Sequence, residues 1–326
     1  MSKHLQLLAF LFLFTACGYH TISQPTAHTP QPTAGPLDQL PKKKSKSLNF
    51  VAVGDWGRNG YYKQDETGEM MGKVMQHLGG DFVISVGDNF YPDGVQSTQD
   101  YHWTSSFEKV YKHPGTYLDW WVVLGNHDYR GNVQAQIDYS DVSRRWNMPD
   151  RYYTKTFKVG DDAEALFVFI DTNPLYTPYL NDPFKKHSDV DEQDIPKQLE
   201  WIEQTLQNSQ AKWKIVVGHH QLYTGGRRHG LANPVRDHLL PIFQRQQIDL
   251  YLCGHEHHLE YSVNQGLHQI ITGAGSSVRD YDGEANSVYG ISTHGFVAFT
   301  LTTEELEFHF IDHNGQVLHT NRRTKP

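Results

Sequence analysis

The chain has 326 residues, enough to bury a large core as one α/β domain or two smaller ones. Its aromatic share of 13% and charged share of 20% are ordinary for a globular protein and exclude a fibrous or low-complexity chain. A formal net charge of −8 argues against a nucleic-acid partner, which needs a basic face, and two cysteines, Cys17 and Cys253, exclude a disulfide framework.

At the start, Lys3 precedes an apolar stretch over residues 5–14 that is too short to cross a bilayer, so residues 1–16 read as an export signal. The run Phe14-Thr15-Ala16-Cys17-Gly18 resembles a bacterial lipobox, which implies cleavage before Cys17 and a lipid anchor on its thiol as the sole membrane attachment. An ordinary secretory signal cut near Ala16 or Cys17 is the alternative. Both place the chain outside the cytoplasm, in the cell envelope, the periplasm or the medium. Residues 17–47 are rich in Thr, Pro and Gln without apolar periodicity and read as a disordered linker. The basic run Lys42-Lys43-Lys44 with Lys46 reads as a solvated tether within it.

From Leu48 onward, short apolar runs alternate with amphipathic stretches. Segments 48–53, 82–86, 120–124, 165–170, 214–217 and 248–252 have the length and β-branched content of strands. Segments 66–78, 101–110, 196–206 and 234–244 have helical spacing; Leu199, Ile202 and Leu206 fall at i, i+3 and i+7. Pro196 and Pro234 suit a first helical turn. The alternation predicts an α/β domain with mainly parallel central strands, followed by antiparallel strands at 259–263, 267–271, 295–300 and 306–311. No internal repeat or mid-chain linker interrupts residues 48–326, so one catalytic domain is expected there.

Five polar segments each end an apolar run: GDWG with Asp55, GDNFY with Asp88 and Tyr91, GNHD with Asn126, His127 and Asp128, VVGHH with His219 and His220, and GHEHH with His255, His257 and His258. In open α/β sheets, functional groups collect outside the carboxyl ends of the strands. Five parallel neighbouring strands would therefore bring these side chains to one rim. Two carboxylates, a phenol, an amide oxygen and several imidazoles form a mixed O/N donor set, suited to zinc, iron or manganese with open positions. A carboxylate is the natural bridge between two such ions. Taken singly, Asp55 or Asp88 reads as a turn residue, Tyr91 as a packed aromatic and Asn126 as a helix cap. His220 and His258 read as buried hydrogen-bonded imidazoles, Asp128 as a group orienting His127, and Cys253 as an inert core thiol.

The ordered set GDWG, GDNFY, GNHD, VVGH and GHEH resembles the calcineurin-like metallophosphoesterases, and the tyrosine of GDNFY resembles the purple acid phosphatases, in particular the small mammalian-type, tartrate-resistant branch. The resemblance implies a β-sandwich flanked by helices, in αββα layers. It implies an acid phosphatase that hydrolyses small-molecule phosphate monoesters with a dinuclear Fe(III)–M(II) centre activating water for in-line attack. Asp55, Tyr91 and His257 would hold the ferric ion, Asp88 would bridge, and Asn126, His219 and His255 would hold the divalent ion, whether Fe, Zn or Mn. His127 and His229 would hold the phosphate or protonate the leaving group, with pKa values raised beside a dianion. A loop within 173–194 would cover the metals. The alternatives are another dinuclear phosphoesterase, such as a phosphodiesterase or nucleotidase, and a non-catalytic envelope protein that binds iron or phosphate.

Overall fold

Residue 50 begins an alternation that runs through the whole centre of the molecule: Phe50 faces one way and Val51 the other, and both are fully buried. A strand buried on both faces needs a layer on each side. The computed structural model describes residues 37, 40, 42–184, 186–231, 233–283 and 285–325; the export signal, Cys17 and most of the linker lie outside them.

Strands β1 (Leu48–Val53), β2 (Phe82–Ser85), β3 (Asp119–Val122) and β4 (Trp146–Asn147) are parallel neighbours. A second sheet takes the next seven: β5 (Tyr153–Val159), β6 (Ala163–Phe169), β7 (Trp213–Val217), β8 (Leu250–Cys253), β9 (Leu259–Asn264), β10 (Leu267–Thr272) and β11 (Ser287–Ile291). The chain then returns to the first sheet as β12 (Gly295–Leu301), β13 (Glu305–Asp312) and β14 (Val317–Thr324). The sheet orders are β14-β13-β12-β1-β2-β3-β4 and β11-β9-β10-β8-β7-β6-β5. The polar segments therefore leave both sheets of the expected sandwich, and the five strands are parallel neighbours only as β1-β2-β3 in one sheet and β7-β8 in the other, a correction to the expected single row. The antiparallel tail is divided likewise, with β9 and β10 in one sheet and β12 and β13 in the other.

The two sheets meet through stacked rings. Phe50 lies 5.0 Å from Phe82 and 4.6 Å from Phe299, and meets Phe167 of the facing sheet edge-on at 5.4 Å. Among the described residues, five α-helices complete the fold: α1 (Gln64–Leu78), α2 (Val133–Asp138), α3 (Thr177–Leu180), α4 (Ile195–Asn208) and α5 (Pro234–Gln246). Met71, Val74 and Leu78 of α1 join the core of the first sheet. Ile202 and Leu206 of α4 and Val235, Leu239 and Phe243 of α5 join Val168, Val216 and Tyr251 on the far face of the second. The αββα layering follows, within a compact unit spanning Pro32–Pro326.

Local chemistry sets the helix starts. The Asp194 carboxylate accepts the Lys197 N–H at 3.0 Å, and Asn233 Oδ1 accepts the Arg236 N–H at 3.1 Å, each just ahead of a proline in the first turn. Over 101–110 the expected helix contains a π-helical stretch, Trp103–Glu108. The end of the tether also differs from expectation. Lys44 Nζ lies 3.4 Å from Glu305 and 3.2 Å from Glu307, and Lys46 pairs with Asp161, so this part of the basic run is tied to the body by ion pairs while Lys46 stays exposed. Cys253 is a free, fully buried thiol, and burial pushes its pKa well up.

Phe167→Ala, which empties the seam between the sheets, is expected to cost about 3–5 kcal/mol in urea unfolding, whereas substitution of the exposed Phe184 should be nearly neutral.

Candidate metal centre

Each donor sits a few residues beyond a strand end, where the backbone turns sharply. Asp55, Asp88 and His255 all adopt left-handed φ, at 58°, 51° and 68°. Such a conformation costs a non-glycine residue about 1–2 kcal/mol and persists only where its surroundings over-determine it. Neighbouring glycines give the room: a Cβ on Gly125 would stand 2.2 Å from the Asp88 nitrogen, and one on Gly254 would stand 2.4 Å from Asp55 Oδ2.

Four donors converge in a first group. Tyr91 Oη lies 2.8 Å from Asp88 Oδ2, 3.1 Å from Asp55 Oδ1 and 3.2 Å from His257 Nε2, and the last two atoms are themselves 3.2 Å apart. Spacings near 3 Å are those of atoms sharing one ion at about 2.1 Å. In a second group, His219 Nε2 lies 3.2 Å from His255 Nδ1 and 3.4 Å from Asp88 Oδ1. Asp88 thus turns one oxygen to each group. Asn126, in the same cavity, has a buried Oδ1 with no hydrogen-bond partner, an acceptor left for a ligand.

The imidazoles are set by the atoms behind them. His219 Nδ1 is 2.9 Å from the Val86 carbonyl and His257 Nδ1 is 3.0 Å from that of Ser277. A carbonyl only accepts, so Nδ1 carries a proton in both rings and Nε2 is the nitrogen turned toward the other donors. His220 lies close enough to His219 and His255 to join them, but Thr172 Oγ1 and Tyr179 Oη occupy its two nitrogens at 2.8 and 3.0 Å. His258 instead meets the buried Glu260 at 2.8 Å.

Electrostatics complete the fit to metal. Burial, with the charge of Asp88 beside it, raises Asp55 to about 7 despite His219. Burial and the two carboxylates lift the Tyr91 phenol far above its ordinary value. Asp88 stays low: burial would raise it, but His219, His127 and the hydrogen bonds it accepts from the His127 N–H and Tyr91 outweigh that. Burial and then Arg279 hold His257 down at about 3, and burial keeps His255 well below its usual value. Neutral imidazoles beside oxygens that resist ionisation together are what a pair of bound cations would satisfy.

A cavity of about 250 Å³ opens over these groups, lined also by His127, Arg130, Arg228 and Arg279, with Tyr176 and Tyr179 from the 173–194 segment. The arginines went unseen in the sequence: Arg130 follows His127 by three residues and Arg228 precedes His229, but no motif marks Arg279. Arg58, also unmarked, places its guanidinium 3.6 Å from the centre of the Tyr91 ring. His127 donates its N–H to Asp88 Oδ1 at 2.8 Å. Burial holds its imidazole below the ordinary value, against the charge of Asp88, which raises it.

Two placements differ from expectation. His229 is exposed, does not line this cavity, and donates from Nδ1 to the Thr224 carbonyl at 3.1 Å; the preceding Arg228 takes the place at the wall. The Asp128 carboxylate makes no hydrogen bond to the His127 ring. Its carboxylate accepts the N–H groups of Asn89, Phe90 and Gly125 and the amide of Gln136, binding the GDNFY turn to the GNHD turn. Three aligned peptide donors satisfy a buried carboxylate better than one imidazole.

The calcineurin-like phosphoesterase family matches residues 48–259. Purple acid phosphatase 7 of Arabidopsis thaliana is 36% identical over 296 residues, covering 87% of this chain and 88% of its own. Tartrate-resistant acid phosphatase type 5 of Oryctolagus cuniculus is 31% identical, covering 86% and 91%. Among solved structures, GAP50, described as the anchor in the inner membrane complex of Plasmodium, superposes with a TM-score of 0.75 at 28% identity, covering 86% and 90%.

Asp128→Ala strands three buried N–H donors, so it is expected to lower stability by at least about 2–3 kcal/mol in chemical denaturation and to reduce the metal retained after dialysis.

Proposed function

The chain belongs to the purple acid phosphatases of the calcineurin-like phosphoesterase family, and on that premise we propose that it hydrolyses small-molecule phosphate monoesters at a dinuclear Fe(III)–M(II) centre, with M as Fe, Zn or Mn. The observation that carries this is the convergence of the Tyr91 hydroxyl on Asp55, Asp88 and His257. A phenolate is a hard anionic donor that favours Fe(III) over Fe(II). Asp55, Tyr91 and His257 would hold the ferric ion, Asn126, His219 and His255 would hold the divalent one, and Asp88, with one oxygen toward each group, would serve both. When bound, the ions supply Lewis-acid charge and an activated water for in-line attack on phosphorus.

The remaining work falls to the protein. The guanidinium groups of Arg130 and Arg279 gather the phosphate dianion into the cavity. Its arrival beside His127 raises that imidazole's proton affinity, so the ring holds a proton to hand to the departing alkoxide. Tyr176 and Tyr179 line the cavity with apolar ring surface, which lowers the water content around the reacting phosphate. The export signal and the lipobox-like run at Cys17 support a lipid-anchored place in the cell envelope; Cys17→Ser should move the protein from the membrane to the soluble fraction.

Iron-loaded protein is expected to be purple and to turn over p-nitrophenyl phosphate at about pH 4–8. Tyr91→Phe should remove the visible band and lower kcat/KM by about 10–100-fold. A colourless iron-loaded protein overturns the ferric assignment, and absence of turnover overturns the hydrolase.

Because the Tyr91 phenol is raised, it is protonated at neutral pH before metal arrives and must lose that proton to become a ligand. Loading at pH 7 should therefore release about one proton more from the wild type than from Tyr91→Phe, measurable by pH-stat titration.

A further inference from the structure

The metal cavity shares Tyr176, Arg228 and His255 with a second cavity of about 280 Å³. This neighbour has a different chemistry. Gln221, Thr224, Asn264 and Asn286 line it, with Arg228 and Arg236, and among the described residues no carboxylate does. His229 lies here too.

Arg228 is fixed at the junction of the two cavities. Its NH1 is 2.7 Å from Oε1 of Glu256, a fully buried carboxylate between His255 and His257. Arg236 also lines the second cavity, with its guanidinium 5.6 Å from the centre of the Tyr223 ring. Its nearest carboxylate, the exposed Asp237, is 3.7 Å away and screened by water. Two lining residues also carry buried side-chain atoms without a hydrogen-bond partner: Gln221 Oε1, an acceptor, and Asn264 Nδ2, a donor. Each residue is only 4% exposed. A buried amide left unpaired is costly, and an apolar ligand would leave both so. Hydroxyl groups, which donate and accept, would satisfy both.

We propose that this second cavity receives the alcohol part of the substrate and selects a polyhydroxylated leaving group bearing a second anion, the chemistry of a sugar bisphosphate. The scissile phosphate sits at the metal groups, the hydroxyls meet Gln221 and Asn264, and the second anion lies between Arg228 and Arg236. This assignment rests on the phosphatase function proposed above and adds its substrate class.

The test compares kcat/KM of the metal-replete enzyme for p-nitrophenyl phosphate, glucose 6-phosphate and glucose 1,6-bisphosphate. The bisphosphate is expected to exceed the monophosphate by about tenfold or more, a charge-assisted contact's worth. Arg236→Gln, at a half-exposed position on α5, should bring that ratio to within about twofold of unity, and Gln221→Leu should lower both sugar phosphates relative to p-nitrophenyl phosphate. Equal kcat/KM for the two sugar phosphates, in an enzyme that turns over p-nitrophenyl phosphate, overturns the subsite and leaves the phosphatase standing. No turnover of any of the three overturns the phosphatase and the subsite with it.

Discussion

Three acidic oxygens in a buried space are the constraint on which the rest of the structure depends. Asp55, Asp88 and Tyr91 bring their oxygens to within 3.1 Å of one another along two edges, with every residue at most 3% exposed. Left to themselves, such groups keep protons or part. They are held because strands, glycine turns and the Asp128 clamp fix the backbone from which each hangs. The strained φ values at Asp55, Asp88 and His255 belong to the same arrangement: they aim side chains inward at positions where an ordinary turn would let them swing to solvent.

Around this centre the charges are layered. Oxygens and neutral imidazoles lie innermost, arginines line the wall, and the molecule as a whole is acidic. A net charge of −8 would repel anions at long range, so the local cations must do the capture at distances shorter than a Debye length. The Glu256–Arg228 pair ties the layers together, since a carboxylate between two of the histidines sets the position of a cation at the wall.

Much of the centre was legible because its donors follow apolar runs within a few residues, and strand ends are readable from β-branched composition. Sheet membership was not. Each strand's pattern states which residues are buried and not which neighbour buries them, so β1 to β3 and β7 to β8 looked like one rim. Strands β5 and β14 escaped notice because their outward positions are polar and their periodicity is diluted. His229 and Arg228 are adjacent in the chain, and only the course of the turn decides which one reaches the wall. Asp128 was visible as a supporting group, but its partners are peptide N–H groups, which leave no trace in a sequence.

The separation of the donors between two sheets bears on how the protein matures. Asp55 and His257 are 202 positions apart in the chain, yet their ligand atoms lie 3.2 Å apart. No early fragment contains a complete ion site, since both groups draw on residues beyond β7. A complete donor set therefore exists only once strands from both sheets have come together, which couples any metal binding to the long-range closure of the fold.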